Sequence, residues 1–191
     1  MRATLKYLKT VLTHKWYVFV ACARCGYPMA GLAHDNSKLS KEEFGPYRDY
    51  FAGSGQNKSA FDKAWVHHKA CNKHHPEGWF KHPMAFEYAI EMFCDWIGAG
   101  KVYSKEKWDC SEPVRFFAKN NVDQKLHPIT ATLAMQLGRM LAFKKQRRFF
   151  KIFRKNRHVI KQRYEYLIEH EPDSESARKD FGAFLEDLFM D

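Results

Sequence analysis

The chain has 191 residues, of which 45% are hydrophobic, and it carries a formal net charge of +10. With 16 Phe, 9 Tyr and 5 Trp, it can bury one sizeable core, which excludes an intrinsically disordered chain. The positive charge favours anionic partners such as nucleotides, nucleic acid or a membrane surface.

The first segment, residues 1–23, is predicted to be an amphipathic helix. Apolar residues recur there at three- and four-residue steps, at Leu5, Leu8, Leu12, Trp16, Phe19 and Val20. Early basic residues followed by the run WYVFVACA give it some likeness to a signal peptide. The apolar run has only eight residues, whereas a membrane-spanning helix needs about 20. We therefore expect a core helix, no membrane span and a cytoplasmic protein, in the host cytoplasm if a phage encodes it.

A second helix is predicted after residue 40. Ser40 and Glu43 have the spacing of a capping box, in which the two side chains satisfy the first backbone N–H groups of a helix. The segment 52–59, AGSGQNKS, is typical of a loop.

Further helices are predicted along the rest of the chain. One lies near 59–74, because Pro76 disfavours helical geometry at the residue before it. Another lies at about 83–98, and two more begin near Pro113 and Pro128. No segment shows the alternation of a strand, so the predicted fold class is all-α.

The five cysteines do not have the spacing of a zinc or redox framework. Cys22 and Cys25 form one CxxC pair, but Cys71, Cys94 and Cys110 are scattered. A zinc ribbon needs a second pair, and a thioredoxin-like CxxC lies beside a βαβ pattern that is absent from this sequence. We expect buried thiols in a reducing cytosol.

The charge is concentrated near the C-terminus. Residues 144–163 contain ten Lys or Arg and no acid, and the residues after 163 contain nine Asp or Glu. This asymmetry suggests a basic helix and an acidic helix that form a hairpin and partly neutralise each other. We divide the chain into a metal-binding domain, 1–143, and a helical extension, 144–191.

The basic stretch also suggests a partner. Its cations could bind nucleic-acid phosphates while interleaved apolar side chains stack on bases, these being Phe149, Phe150, Ile152 and Phe153. The alternatives are an anionic membrane surface and a solvated helix paired with the acidic tail.

Histidines and carboxylates recur with the chemistry of a metal site. Imidazole and carboxylate ligands suit zinc, iron or manganese. The candidates are His14, His34, Asp35, His67, His68, His74, His75 and Asp95. A carboxylate can bridge two ions, so Asp35, next to His34, could serve both. On one continuous helix His67 and His74 would lie about 10.5 Å apart, which is too far for a shared ion.

The order of these residues resembles the HD-domain superfamily of metal-dependent phosphohydrolases. HDNSK is similar to the HDxxK form of HD-GYP phosphodiesterases. More closely, four blocks resemble a family of small phage and bacterial proteins with no settled substrate, namely HDNSKLSKEEF, WVHHKACNKHHPE, EMFCDW and KLHPIT. The resemblance covers roughly residues 10–135, and it implies an HD-like helical bundle.

The resemblance also implies roles for particular residues. His14, His34, Asp35 and Asp95 would be the core metal ligands. A second ion would use one histidine of each doublet, so the cofactor would be one or two divalent ions of Fe, Mn or Zn. Lys38 would face the substrate phosphate, and Glu77 or Glu91 would orient a ligand or move a proton. The structural alternatives are a buried core histidine at His14 and a solvated lysine at Lys38.

The implied activity is hydrolysis of a phosphate ester. Metal-bound hydroxide would attack the phosphorus of a small anionic substrate such as a nucleotide, and Lys38 would stabilise the charge that develops. One alternative is a di-iron oxygenase of the HD fold, since it needs the same ligands. Another is a nucleic-acid-binding protein with a structural metal.

Overall fold

The computed structural model describes residues 2–53 and 55–190. Within these ranges the chain forms eight α-helices, joined by loops and short 3-10 turns, and no strand, which confirms the all-α class. The helices are α1 (Arg2–Cys25), α2 (Pro28–Ala33), α3 (Lys41–Phe51), α4 (Lys58–Cys71), α5 (Phe86–Ser104), α6 (Glu112–Lys119), α7 (Pro128–His170) and α8 (Glu175–Met190). Of the helices described, none is both long and apolar enough to cross a bilayer.

Two apolar clusters hold these helices together. The larger one joins α1, α5, α7 and α8, and its largest fully buried side chains are aromatic, including Phe86, Phe93, Phe149, Tyr164 and Phe181. The smaller one fastens α3 and α4 to the first half of α1, and its buried members are Tyr7, Val11, Tyr47 and Ala64. Helix α1 therefore touches both clusters.

The buried face of α1 is not the one that the leucine spacing predicts. Leu5, Leu12 and Trp16 are exposed. The buried residues are instead Tyr7, Val11, His14, Val18, Ala21, Cys22 and Cys25. They also recur at three- and four-residue steps, but small and polar side chains lower the hydrophobicity of this face. The most apolar stripe of the helix is therefore turned partly to solvent.

The bounds of two helices, α4 and α5, differ from those predicted. Helix α4 ends at Cys71, three residues before the predicted end, because Asn72 has extended backbone angles (φ −119°, ψ 102°). Helix α5 begins at Phe86 and continues to Ser104. All five cysteines are free, and four of them are buried as expected, while Cys71 is exposed.

Glycines set the closest helix contacts. A Cβ added at Gly98 of α5 would lie 2.5 Å from Val18 Cγ2 and 3.5 Å from the His14 carbonyl oxygen on α1. A Cβ added at Gly31 of α2 would lie 2.7 Å from Phe19 Cα. Only glycine permits both approaches, which bring α2 and α5 against the middle of α1.

Helix α7 continues across the predicted domain boundary at residue 143. It has non-helical angles at Lys145 (φ 60°, ψ 164°), so the chain kinks two residues after that boundary. Beyond the kink, Phe149, Phe150 and Phe153 are buried in the larger cluster together with residues of α5. The two-part division stays a prediction, while the residues on both sides of the boundary share one core.

Candidate metal centre

The His34–Asp35 pair lies in a tight turn between α2 and a 3-10 turn at Asn36–Leu39. Asp35 has left-handed backbone angles (φ 53°, ψ 28°), which short polar residues tolerate better than most. The Lys15 ammonium donates a hydrogen bond to the backbone carbonyl of His34 and another, of 2.7 Å, to Asn36 Oδ1. This turn directs both His34 and Asp35 into the protein, where each is 1% exposed.

One set of ligand atoms joins α1, this turn and α5. His14 Nε2 lies 3.2 Å from His34 Nε2 and 3.0 Å from Asp95 Oδ1. Asp35 Oδ2 lies 3.4 Å from His34 Nε2 and 3.7 Å from His14 Nε2. Ligand atoms that surround one ion at about 2.0–2.2 Å lie roughly 3–3.5 Å from one another. We call His14, His34, Asp35 and Asp95 the first group.

The other oxygen of Asp35 faces a second set. Asp35 Oδ1 lies 3.3 Å from His68 Nε2 and 3.6 Å from His74 Nε2. The His75 ring packs against both histidines, with centroid distances of 4.8 Å to His68 and 4.3 Å to His74. Asp35, His68, His74 and His75 each offer a ligand atom within 4.8 Å of the others. We call them the second group, and Asp35 is common to both groups.

The end of α4 explains how the two doublets converge. The distance expected between His67 and His74 assumed one helix through residue 74, whereas α4 ends at Cys71. Because Asn72 leaves the helix, the chain turns back, and His74 and His75 point toward His68. Asn72 fixes the turn by donating from Nδ2 to the His68 carbonyl oxygen (2.8 Å) and to Ser37 Oγ (2.7 Å).

His67 lies outside both groups. Its Nδ1 is 2.8 Å from Glu43 Oε1, while His68 Nδ1 is 2.8 Å from Glu43 Oε2. Glu43 is fully buried, and each of its two oxygens contacts one imidazole of the doublet. The predicted capping box is not formed, because the Ser40 side chain makes no cap hydrogen bond and Glu43 turns inward. Helix α3 does begin directly after Ser40.

The predicted catalytic residues have three different positions. Lys38 Nζ forms an ion pair with Asp35 Oδ2 at 2.6 Å. Glu91 Oε1 lies 2.8 Å from His34 Nδ1, with which it is hydrogen-bonded, and 3.0 Å from His74 Nδ1, which has no hydrogen-bond partner, so one carboxylate contacts an imidazole of each group. Glu77 is exposed, in a 3-10 turn after the second doublet.

The first group is strongly coupled electrostatically. Burial lowers the pKa of His34, but the charge of Asp35 and the hydrogen bonds that His34 donates to Asp95 and Glu91 outweigh it, and that pKa rises to about 10. Burial raises the pKa of Asp35, yet His34 and Lys38 hold it well below its usual value. Positive charge is therefore stabilised beside these carboxylates, and a metal cation supplies the same charge.

In the second group, the pKa values of two histidines are lowered rather than raised. Burial lowers the pKa of His68. Burial, with the neighbouring charges of His74 and His68, lowers the pKa of His75 to about 3. These two imidazoles are neutral at physiological pH, which is the form that donates a lone pair to a metal.

Several buried ligand atoms of the second group have no hydrogen-bond partner, which bears on whether the group fits a metal ion. Asp35 Oδ1 and the Nε2 atoms of His68, His74 and His75 are buried and have no hydrogen-bond partner. Buried polar groups are nearly always paired, and these four converge on one point. The groups of buried His, Asp and Glu can therefore hold a metal ion, and their nitrogen and oxygen donors suit Zn, Fe or Mn.

Sequence reasoning missed the residues that position these ligands. Glu43, Asn72 and Lys15 hold, respectively, the first doublet, the turn after α4 and the turn at His34. Glu43 and Asn72 do lie in the blocks that carry the resemblance. Their spacing to the histidines does not reveal the contacts, because each acts across a change of direction in the chain.

Two cavities open beside the ligands. We call the first, of about 570 Å³, the aromatic cavity, because six of its lining side chains are rings other than His14: Tyr7, Tyr47, Phe51, Phe61, Trp65 and Tyr103. The second, of about 510 Å³, is the acidic cavity, whose carboxylates are Asp35, Glu77, Asp95 and Glu112. His14 and Lys38 line both, so the ligands lie where the cavities meet.

Comparisons with known proteins identify a family for this chain. The profile of a family of unknown function, DUF5662, matches residues 3–140 of 191, and the chain belongs to that family. Searches of curated proteins and of solved structures found no match. The matched range contains every residue of both groups and ends before the basic stretch.

Proposed function

We propose that this member of DUF5662 is a metal-dependent phosphohydrolase that acts on a nucleotide or a related phosphate ester. The observation that carries the proposal is Asp35, whose two oxygens face two separate sets of imidazoles. A carboxylate in this position suits a pair of ions, and paired ions suit displacement at phosphorus. The ligand order that resembles HD-domain proteins supports the same reading.

The protein residues have distinct parts in this proposal. Divalent ions at such donor sets lower the pKa of water and polarise a phosphoryl oxygen. Lys38 is held by Asp35 at the junction of the cavities, where its ammonium can donate hydrogen bonds to phosphate oxygens. Glu91 keeps the Nε2 atom of His34 directed at the ligand sites through its hydrogen-bonded Nδ1 atom, and it also contacts His74 Nδ1. Glu77, at the rim of the acidic cavity, can exchange protons with solvent.

The test combines metal content with product analysis. Protein purified without chelators is assayed for Fe, Mn and Zn, and then for phosphate release from nucleotides and simple phosphate esters, with and without oxygen. We expect bound metal and phosphate release that does not require oxygen. The Lys38→Ala variant should turn over more slowly by about 10²-fold, as loss of a transition-state donor does, while keeping its metal.

A control variant and two outcomes decide the proposal. Lys41→Ala removes an exposed lysine at the start of α3 and should leave turnover unchanged. Metal-free, well-folded protein would overturn the proposal. So would oxygen consumption stoichiometric with product, which would favour a di-iron oxygenase instead.

A second candidate function concerns the basic stretch and is independent of the metal. At the kink of α7, a groove of about 680 Å³ is lined by five cations, Lys144, Arg147, Arg148, Lys151 and Lys155, and by no acid among the described residues. The expected partial neutralisation of this stretch by the acidic tail stays a prediction, and Leu188 of α8 also lines the groove. We propose that the groove binds the phosphate backbone of nucleic acid.

The prediction that the phenylalanines of the basic stretch stack on nucleic-acid bases is wrong. Phe149, Phe150 and Phe153 are at most 3% exposed, so they cannot stack on bases. Binding through the groove would therefore depend on phosphates, with little sequence preference and a steep dependence on salt. Removing residues 144–191 would also expose the core, so charge reversal is a better test than truncation.

Fluorescence anisotropy with labelled single- and double-stranded DNA at two salt concentrations tests this groove. We expect Arg147→Glu/Lys151→Glu to weaken binding at least tenfold. The control, Lys107→Glu/Lys119→Glu, changes the net charge equally at exposed sites of another surface and should have a small effect. Equal losses in both variants, or binding only to anionic lipid vesicles, would exclude a nucleic-acid groove.

A further inference from the structure

We propose that the aromatic cavity recognises the ring-bearing alcohol of the phosphate ester, and that Tyr7 and Tyr47 determine this specificity. The inference rests on the proposed hydrolytic function and deepens it by naming the substrate class as esters of nucleoside-like alcohols. It is carried by two unpaired hydroxyl groups, by the walls of the cavity and by its charge.

The two tyrosine hydroxyls are the first observation. Tyr7 and Tyr47 are each 4% exposed, and neither hydroxyl has a hydrogen-bond partner. Buried tyrosine hydroxyls usually find a partner, and leaving one unpaired destabilises the fold. Both residues line the aromatic cavity. A ligand with hydrogen-bond acceptors in this cavity would pair them.

The walls of the cavity favour a flat ring. The Tyr47 ring packs edge-on against Phe61 and against His68, at centroid distances of 5.2 Å and 5.8 Å. Trp65 stacks on the His68 ring at a centroid distance of 5.5 Å. Aromatic side chains bind other rings by stacking and edge-to-face contact. Contact with His68 places these walls directly beside the second group.

Charge decides which of the two cavities an anionic ester enters. The aromatic cavity has three lysines at its lining, Lys6, Lys38 and Lys105, and no carboxylate. The acidic cavity is lined by four carboxylates and two lysines, and with Asp35 and Asp95 engaged as metal ligands it keeps two carboxylates against its two lysines. A cleft of positive charge raises the local concentration of an anion, whereas negative charge lowers it. The phosphate ester would therefore arrive through the aromatic cavity.

The size of the cavity agrees with this class of ligand. At about 570 Å³, it lies within the range of roughly 300–1,000 Å³ typical of small-molecule sites. Lys38 is at its inner end with the metal ligands, and Lys6 and Lys105 are exposed. A substrate with its phosphate at Lys38 would have its ring between the two tyrosines and the tryptophan.

The experiment measures binding separately from turnover. Metal-loaded protein is titrated with AMP and with ribose 5-phosphate, which carries the same phosphate and sugar but no base, and affinity is read by calorimetry. We expect AMP to bind at least tenfold more tightly. Tyr7→Phe and Tyr47→Phe keep the rings but remove the hydroxyls, and each should weaken AMP binding about three- to tenfold, the equivalent of one neutral hydrogen bond. Binding of ribose 5-phosphate should not change.

A matched control separates recognition from packing. Tyr50 is on the same helix as Tyr47 and stacks on Phe61, but it does not line the cavity, so Tyr50→Phe should leave both affinities unchanged. Without ligand, Tyr7→Phe and Tyr47→Phe should melt no lower than the parent protein, because the lost hydroxyls are unpaired. Equal affinity for the two ligands, or equal effects of all three variants, would overturn the inference. Tight AMP binding without hydrolysis would uphold the subsite and reject the proposed function.

Discussion

At the scale of single residues, the candidate ligands were predictable and the residues that hold them were not. The candidate histidine and aspartate ligands were recognisable from their residue types and from the HDNSK block. The choice between His67 and His68, however, depends on which of them faces Asp35, because Glu43 of α3 contacts both. The S-x-x-E spacing of Ser40 and Glu43 is that of a capping box, so the sequence alone assigns Glu43 to a helix cap rather than to the histidine doublet.

The first residue-scale prediction concerns the shared carboxylate. Asp35→Asn removes the charge common to both groups and replaces one oxygen with an amide that cannot act as a carboxylate ligand. We expect loss of both ions by elemental analysis. Asp95→Asn and His75→Ala each affect one group and should each retain about one ion. If either of these two variants loses all metal, the groups form a single centre.

The second residue-scale prediction concerns Glu43. Its two oxygens each face one imidazole of the doublet, and a Gln amide would present an N–H₂ group to one of them. We expect Glu43→Gln to weaken metal binding by about 10–100-fold, as changes behind a ligand histidine do, measured by competition with a chromophoric chelator. The control is Glu42→Gln, an exposed neighbour. Equal affinities in the two variants would contradict the positioning role.

At the scale of elements, the presence of the helices was predictable from the apolar periodicity, but their buried faces and their ends were not. In α1 the buried face contains His14 and small residues, so hydrophobicity points to the exposed leucines instead. The end of α4 at Cys71 is set by the contacts of Asn72 with Ser37 and His68. Such tertiary contacts override local preference, and they decided whether the second group could form.

The element-scale prediction tests the contact between α1 and α5. Gly98→Ala would place a methyl group 2.5 Å from Val18 Cγ2 and push apart the helices that carry His14 and Asp95. We expect a loss of about 1–3 kcal/mol in unfolding free energy and weaker metal binding. Adding Val18→Ala should recover part of the metal binding in a double-mutant cycle.

Gly45→Ala is the matched control for this contact. Gly45 is also helical, in α3, and an added Cβ would meet no atom of another element within 4 Å. This change should alter the unfolding free energy by less than about 1 kcal/mol, because the gain in helix propensity offsets the crowding of the new methyl group by the Pro46 ring. Comparable destabilisation of the two variants in denaturant titrations would contradict the close-packing argument.

At the scale of the whole molecule, the all-α class was predictable from the sequence because no segment alternates as a strand. How the predicted extension, residues 144–191, packs could not be predicted from such a pattern. Its three phenylalanines, Phe149, Phe150 and Phe153, look like a binding surface in the sequence, whereas they complete the core. Apolar residues between charges are ambiguous until the partner helix is known, and here α8 supplies it.

The whole-molecule prediction concerns metal removal. The clustered histidines and carboxylates are pre-arranged only in the folded chain, so metal binding stabilises the fold by mass action. At a metal concentration about 100 times Kd, one ion contributes about 2.7 kcal/mol, or roughly 5–11 °C in Tm for a chain of this size. Chelator should lower the Tm of the parent protein accordingly. A Tm of Asp35→Asn that shifts with metal as the parent's does would contradict this prediction.

The position of the ligands along the chain has a consequence for the order of folding. The first group joins His14 to Asp95, so 81 residues separate its ends, and α5 must dock on α1 before the group exists. Contacts so distant in sequence close late, because the entropy of the intervening loop opposes them. During synthesis the nascent chain therefore cannot capture a metal at this group until α5 has emerged. Metal uptake at the first group would then follow the docking of α5 on α1 rather than nucleate it.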